Sequence, residues 1–400
     1  MIETTFENLS PGTPGPILIL AISNGAGHMR AAHAIAEAIE ANGDSAVVVD
    51  IADYMTRTTR FTHVTAYLWL VKNTPRVWDR IDRYQKRQTR TSPDWYYRRG
   101  CKGVFQLAKE LRPSALVATE VGCCEIAALI RRDLKLDVPL VAVNVNYDAD
   151  RAWFRPEVDL YVIASEPVRA ELIGFGISHD KIVVWGVPMA GEFSTLPEPN
   201  RARADICRWL ELDPDEWIVL VAGGGEGIGP IKKVIERLMS LESATPQIIV
   251  LRGKNQRLQR SLDSLSQSEA GRRLRVLSWT NRIAELMRAS DLFVSKLGNS
   301  FDEAIAAELP IVALEPPPGS ERVQYKLLDE WGIGCAVHTL DEMADTIVGL
   351  LEHSPRLEAM RKRARGRRLI DAADRIAQWL KMKGDVSQGY PATSKLVVNA

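Results

Sequence analysis

The residues best placed to do chemistry stand at the ends of apolar runs. Ser23-Asn24-Gly25-Ala26-Gly27-His28 follows Ile17-Leu18-Ile19-Leu20 and leads into an Ala-rich stretch, Ala31 to Glu40. Glycine there lets backbone N–H groups crowd against a ligand, and a helix starting at that point adds the positive end of its dipole. The spacing is not a dinucleotide fingerprint, because Arg30 stands where helix–strand packing needs Gly or Ala. Nor is it a P-loop, since no Lys-Ser/Thr follows. What the tip supplies is His28, an imidazole able to move a proton near neutral pH. A helix cap or a packed side chain would use the same residue.

A second set of glycines lies further on. Gly223-Gly224-Gly225-Glu226-Gly227 follows Trp217–Val221, and Arg252-Gly253-Lys254-Asn255 follows Gln247–Leu251. Ser295-Lys296-Leu297-Gly298-Asn299-Ser300 follows Asp291–Val294. Such junctions can hold phosphate oxygens on backbone N–H groups with no metal, although each glycine taken singly is explained by a turn.

These junctions need strands and helices to position them. The apolar runs Ile17–Leu20, Ala46–Val49, Ala115–Thr119, Leu140–Asn144, Leu160–Ala164 and Lys181–Val184 predict strands, with helices over Glu125–Arg132 and Glu166–Gly174. Continuous apolar strands between helices mean an α/β fold with a parallel sheet covered on both faces. Ligands bind beyond the carboxyl ends of such strands, so Ser23–His28, Glu120–Gly122 and Asn144–Asp150 should line one crevice. The pattern then repeats: strands at Leu274–Leu277 and Ile311–Leu314, helices at Pro230–Leu238, Arg282–Arg288 and Phe301–Glu308. Two Rossmann-like parallel-sheet domains around a central cleft are the expectation.

The boundaries follow from composition. Residues 1–16 read as a disordered lead-in, 17–190 as the first domain, 191–203 as a proline-marked linker and 204–367 as the second domain. The amphipathic stretch 368–383 is expected to pack back on the first domain, leaving 384–400 as a tail. The dense basic run Arg361–Arg368 reads as a solvated helix face or a second membrane contact. Fifty-one basic and fifty-one acidic residues give no global pull toward nucleic acid, and the five cysteines form no CxxC or ligand-spaced cluster. No zinc, no disulfide framework, no signal-peptide start and no membrane-spanning run is expected, which suits a cytosolic chain.

One segment departs from the rest. Residues 56–102 interleave Tyr67, Trp69, Trp78, Tyr84, Trp95, Tyr96 and Tyr97 with twelve Lys and Arg against three Asp, a net of +9. That mixture suits the headgroup level of an anionic membrane; aromatics packed on the sheet beneath a solvated charged face, or a nucleic-acid patch, would be its other uses.

Several phrases together carry a resemblance. Gly25-Ala26-Gly27-His28, Ala66–Trp78, Arg151–Asp159, Lys181–Pro188, Leu251–Asn255 and Ser295–Gln324 resemble, in order, the monogalactosyldiacylglycerol synthase and processive diacylglycerol glucosyltransferase family. The family is related to the peptidoglycan GlcNAc transferase, and the likeness spans about Ile17 to Gly334. It implies a GT-B fold and inverting transfer of a hexose from a UDP-sugar to a diacylglycerol-like lipid hydroxyl, by an enzyme peripheral on the cytoplasmic face of a membrane and needing no metal or other cofactor. It implies that Glu303 grips the ribose, that Ser320, Glu321 and Gln324 meet the sugar or diphosphate, and that Arg252 lies near the base or phosphate. Gly224, Gly225, Lys296, Gly298, Asn299 and Ser300 complete the expected nucleotide-sugar site. Gly27, Asn146 and Asp148, with Trp69 and Trp78 of the insertion, are the expected acceptor side. The chain departs from the family's usual residues at Glu120-Val121 (usually His-Pro), Val145-Asn146 (usually Thr-Asp), and Leu297 and Asn299 of the donor loop (usually Pro and Gly). His28 and Glu120 remain the two candidates for the catalytic base, with Glu120 alternatively orienting His28. A UDP-sugar 2-epimerase-like enzyme and an inactive UDP-sugar or lipid binding protein are the rival readings.

Overall fold

Runs of Val, Ile, Leu and Ala without polar alternation must be buried on both faces, and in the computed structural model they form two parallel sheets. The structure describes residues 15–384 except 24–25, 75–76, 79, 82–83, 85–91, 225–229, 242–244, 268–269, 299 and 315–321. The chain divides into two units, the first built from Met1–Gly191 and Leu369–Ala400, the second from Glu192–Pro317 and Glu321–Arg368.

The first unit contains β1 (Gly15–Ala21), β2 (Ala46–Asp50), β3 (Pro113–Ala118), β4 (Leu140–Asn144), β5 (Leu160–Ile163) and β6 (Ile182–Val184). Their order is β2-β1-β3-β4-β5-β6, every neighbour parallel. Ile19 of β1 stands opposite Val48 on one side and Val117 on the other. The helices are α1 (Ala26–Ala41), α2 (Ala66–Asn73), α3 (Asp94–Gly100), α4 (Lys102–Leu111), α5 (Val121–Asp133) and α6 (Glu166–Gly174). Leu18, Leu20, Leu116, Ala118, Ile126 and Ile130 form the centre of its core. Gly15 and Pro16, expected in the lead-in, are the first residues of β1, because the Gly15 N–H donates to the Arg112 carbonyl at 3.1 Å.

The aromatic and basic insertion is helical where it is described. A short helix, Arg57–Arg60, opens at Thr56, whose side chain accepts from the Thr59 N–H, and passes through a wide turn at Phe61–Thr65 into α2. The Thr56 N–H donates to the Gly100 carbonyl at 2.7 Å and ties the segment off at its base. Gly100 is needed for that closure, since a Cβ there would meet Thr59 Oγ1 at 2.4 Å.

The second unit has β7 (Ile218–Ala222), β8 (Gln247–Leu251), β9 (Leu274–Leu277), β10 (Leu292–Ser295), β11 (Ile311–Leu314) and β12 (Gly334–Val337), ordered β12-β11-β10-β7-β8-β9. The order reverses between β7 and β10, the switch point at which open α/β sheets bind ligands. The helices are α7 (Pro199–Leu210), α8 (Ile231–Met239), α9 (Gln256–Ser266), α10 (Ile283–Ala289), α11 (Ser300–Ala306), α12 (Arg322–Trp331), α13 (Leu340–Glu352) and α14 (Ser354–Arg365).

One expectation is corrected here and another is refined. Residues 199–203, expected in the linker, are the first turns of α7: Pro199 begins a helix as readily as it extends a linker, and buried Ala202 and the Arg203–Asp291 pair at 2.9 Å fix it to the unit. The basic run keeps Lys362, Arg363, Arg365 and Arg367 exposed, as a solvated face would, but half of its cations are tied to carboxylates of the same unit. Arg361 pairs with Asp291 at 2.9 Å, while Arg365 and Arg368 pair with Glu308 at 2.7 and 3.0 Å. Arg367 lies 4.6 Å over the Trp331 ring. Asp291 and Glu308 are buried, and a buried carboxylate requires cationic partners of this kind.

The last helix, α15 (Ala372–Gly384), returns to the first unit and packs on α1 through buried Ile376, Ala377 and Leu380. The Lys381 ammonium caps the turn after α1 by donating to the Asn42 carbonyl at 2.9 Å.

Candidate active site

In the first unit the sheet order turns at β1, so the loops after β1 and β3 share one rim. His28 is in the first turn of α1 and half-buried. Its Nδ1 is 2.8 Å from the Thr119 carbonyl oxygen. A carbonyl only accepts, so Nδ1 carries the proton and neutral His28 keeps a lone pair on Nε2. Thr119 is fully buried and reaches His28 a second time, its hydroxyl donating to the His28 carbonyl at 3.1 Å.

Glu120 does not orient His28. Its carboxylate caps α5, accepting from the Cys123 N–H at 3.0 Å, and the N–H it might have held goes to the Thr119 carbonyl. Gly27 immediately precedes His28 in α1. The loop after β4 is shaped by Asn144, a buried polar residue ending an apolar strand. Asn144 donates to the Asp148 carbonyl at 2.8 Å and accepts from the Asn146 N–H at 2.9 Å, so it brings the two expected acceptor-side residues into one turn. A polar residue closing an otherwise apolar run was the signal that could have found it.

Trp69 on α2 is 57% exposed, whereas Trp78 stacks edge-on against Tyr67 at 4.8 Å. Phe61, Leu68, Val77, Tyr84 and Trp95 are also exposed, an unusual concentration of large apolar side chains in one segment. Beneath them lies a polar network that the sequence did not announce. The Tyr97 hydroxyl donates to Glu125 at 2.8 Å, Glu125 pairs with Arg155, and Tyr96 bonds His63 at 3.0 Å. Burial pushes the Glu125 carboxyl up to about 7 despite the Arg155 guanidinium, and burial lowers His63.

In the second unit the expected nucleotide-sugar residues gather at the carboxyl ends of β7, β8 and β10. Gly224 is exposed at the turn after β7, and Lys296 is half-buried after β10. Gly298 adopts φ 127°, a conformation that favours glycine. Gln324 is spent on holding that turn: its carbonyl accepts from the Gly298 N–H at 2.8 Å and its amide donates to the Gly298 carbonyl at 3.2 Å. The neighbouring Tyr325 hydroxyl accepts from the Leu297 N–H at 3.2 Å. Ser300 opens α11, and Glu303 within it is only 5% exposed. The Arg252 guanidinium donates to Gln259 Oε1 at 2.5 Å and to the Gly253 carbonyl at 3.0 Å. Gly225, Asn299, Ser320 and Glu321 lie outside the described residues. Sequence reasoning passed over Trp279, which is 62% exposed just beyond β9, on the same rim as Arg252. Among the described residues no group of His, Cys, Asp or Glu could hold a metal ion.

The two sheets and their rims define a class, the GT-B glycosyltransferase fold. MurG of Acinetobacter baumannii superposes with a TM-score of 0.61 at 15% identity, covering 92% of this chain and all of that one. Alr3699/HepE of Anabaena in complex with UDP-glucose gives 0.53 at 15% identity, covering 92% and 98%. Within that class, residues 28–189 match the sequence model of monogalactosyldiacylglycerol (MGDG) synthase. The processive diacylglycerol beta-glucosyltransferases of Bacillus licheniformis and Bacillus subtilis are each 26% identical, across 90% of this chain and 93% and 94% of theirs. The chain is related to these diacylglycerol glycosyltransferases along nearly its whole length.

Proposed function

We propose that the protein is an inverting glycosyltransferase that moves a hexose from a UDP-sugar to a diacylglycerol-like hydroxyl at a membrane surface. The observation that carries the reading is His28, held so that Nε2 keeps its lone pair at the sheet switch point of a chain related to diacylglycerol glucosyltransferases. His28 Nε2 takes the proton of the acceptor hydroxyl as its oxygen attacks the anomeric carbon from the face opposite the diphosphate. Inversion follows from that single displacement. UDP leaves with its charge on backbone N–H groups of the Gly224 turn and of Ser300 at the start of α11, and this reading assigns no step to a metal. Glu303 holds the ribose diol, while Gln324 acts one step removed by fixing the Gly298 turn.

The insertion supports the lipid part of the reading. Exposed Phe61, Leu68, Trp69 and Trp95 among Lys and Arg suit an anionic headgroup layer, and no described helix is long and apolar enough to cross a membrane. This reading makes the contact peripheral, on the cytoplasmic leaflet. The test is incubation of the purified chain with UDP-glucose, UDP-galactose or UDP-GlcNAc and vesicles containing diacylglycerol, scored by mass spectrometry. Glycolipid with inverted anomeric configuration is the expected product. An epimerised UDP-sugar, or binding without turnover, would replace this reading with an epimerase or an inactive binding protein.

A further inference from the structure

The contacts around the base lead to a second residue, one that touches no substrate. Thr119 ends β3 with its N–H donating to the Leu20 carbonyl at 3.1 Å, which fixes its peptide in the β1–β3 ladder. From there it meets His28 at two points. Its carbonyl accepts the Nδ1–H at 2.8 Å, and its hydroxyl donates to the His28 main-chain carbonyl at 3.1 Å. One bond sets the ring, and the other sets the backbone that carries the ring. The side chain is wholly buried, so the hydroxyl has no water to compete for it.

We propose that Thr119 is the positioning residue for His28, fixing the Nδ1–H tautomer and the direction of Nε2 through this two-point clamp. The inference rests on the reading of His28 as the base. The other tautomer would face two lone pairs at 2.8 Å and would place a proton on the nitrogen that must receive one. When Nε2 takes the acceptor's proton, the Nδ1–H bond to the carbonyl becomes charge-assisted and favours the imidazolium being formed. The hydroxyl keeps the first turn of α1 from drifting off the end of β3, and a displacement of about 1 Å at a base costs on the order of a hundredfold in rate.

The test compares Thr119→Val, Thr119→Ser and the parent chain. In the 15N-histidine spectrum of the parent at high pH, His28 should show a protonated Nδ1 and an unprotonated Nε2, assigned by its loss in His28→Ala. Thr119→Val should lower kcat by about tenfold to a hundredfold with KM for the UDP-sugar within about twofold, and shift His28 toward a tautomer mixture. Thr119→Ser, which keeps the hydroxyl, should restore both readouts. A parent His28 protonated on Nε2, or a Thr119→Val chain with unaltered kcat and tautomer, would overturn the proposal. So would a loss of kcat in Thr119→Val that Thr119→Ser fails to restore although both fold. Should the parent transfer no sugar, the reading of the function fails, and the tautomer spectra still decide whether the clamp exists.

Discussion

Replacing Glu125 by Gln should flatten a pH dependence of stability that the buried network builds in. Glu125 is 2% exposed on α5, faced by Arg155 and the Tyr97 hydroxyl, with Glu120 and Asp150 acting at longer range and His63 behind Tyr97. Burial raises its carboxyl from 4.5 to about 7, so ionising it costs about 3 kcal/mol more in the folded protein than in the unfolded chain. A raised folded value means a contribution fully present below pH 4.5 and lost as pH rises through about 7. About 2 kcal/mol of that loss falls between pH 5 and 7.5. His63 works in the opposite direction: its lowered value gives stability present above pH 6.5 and lost as the pH falls. The difference between the parent and Glu125→Gln cancels His63 and isolates the carboxyl. Urea unfolding of both proteins at pH 5, 6 and 7.5 supplies it. The parent should lose about 2 kcal/mol relative to the variant across that range, whatever the variant's absolute stability. Parallel pH profiles would refute the argument and mean that the Arg155 pair keeps Glu125 ionised throughout.

Three further outcomes are expected. His28→Ala should lower turnover by a factor of about 10² to 10⁴ with UDP affinity intact, and Glu120→Gln should cost less because its carboxylate caps α5; the reverse order in steady-state kinetics would move the base to Glu120. Glu303→Ala should weaken UDP binding by roughly 1–3 kcal/mol, the worth of a charge-assisted hydrogen bond, and unchanged calorimetric affinity in a folded variant would remove Glu303 from the ribose. The protein should sediment with vesicles containing anionic lipid, less so as salt rises, and Trp69→Ala should reduce the fraction bound even to neutral vesicles; equal sedimentation with both vesicle types at low salt would make residues 56–102 a packed subdomain only.

The strands were legible because burial on both faces leaves an uninterrupted apolar run: Leu140–Asn144, Gln247–Leu251, Leu274–Leu277 and Ile311–Leu314 have the ends that hydropathy gives them. β12 was not legible, since Gly334-Cys335-Ala336-Val337 is short and small and becomes a strand only through its ladder with β11. α7 was hidden by proline, whose fixed φ serves a linker and a helix start alike. Residue types marked the site's rims, but partners did not follow from them. A glutamate beside a histidine reads as an orienting pair, and only the fold reveals that the backbone of Thr119 takes that role while Glu120 turns to its own helix. In the same way Arg361–Arg368 looked like free charge because Asp291 and Glu308, which hold three of its arginines, are 57 to 70 positions from them and embedded in apolar sequence.

The placement of charge bears on how the molecule approaches a charged surface. The chain is formally neutral, yet residues 56–102 hold +9, so the remainder must sum to −9. Those nine charges form a cationic pole in the same segment that bears the exposed aromatics, whereas Arg361, Arg365 and Arg368 are tied to Asp291 and Glu308. Within a Debye length of an anionic leaflet, attraction at that pole and repulsion elsewhere exert a torque as well as a pull. Landing becomes an oriented event, and moderate salt should degrade its orientation before it abolishes contact.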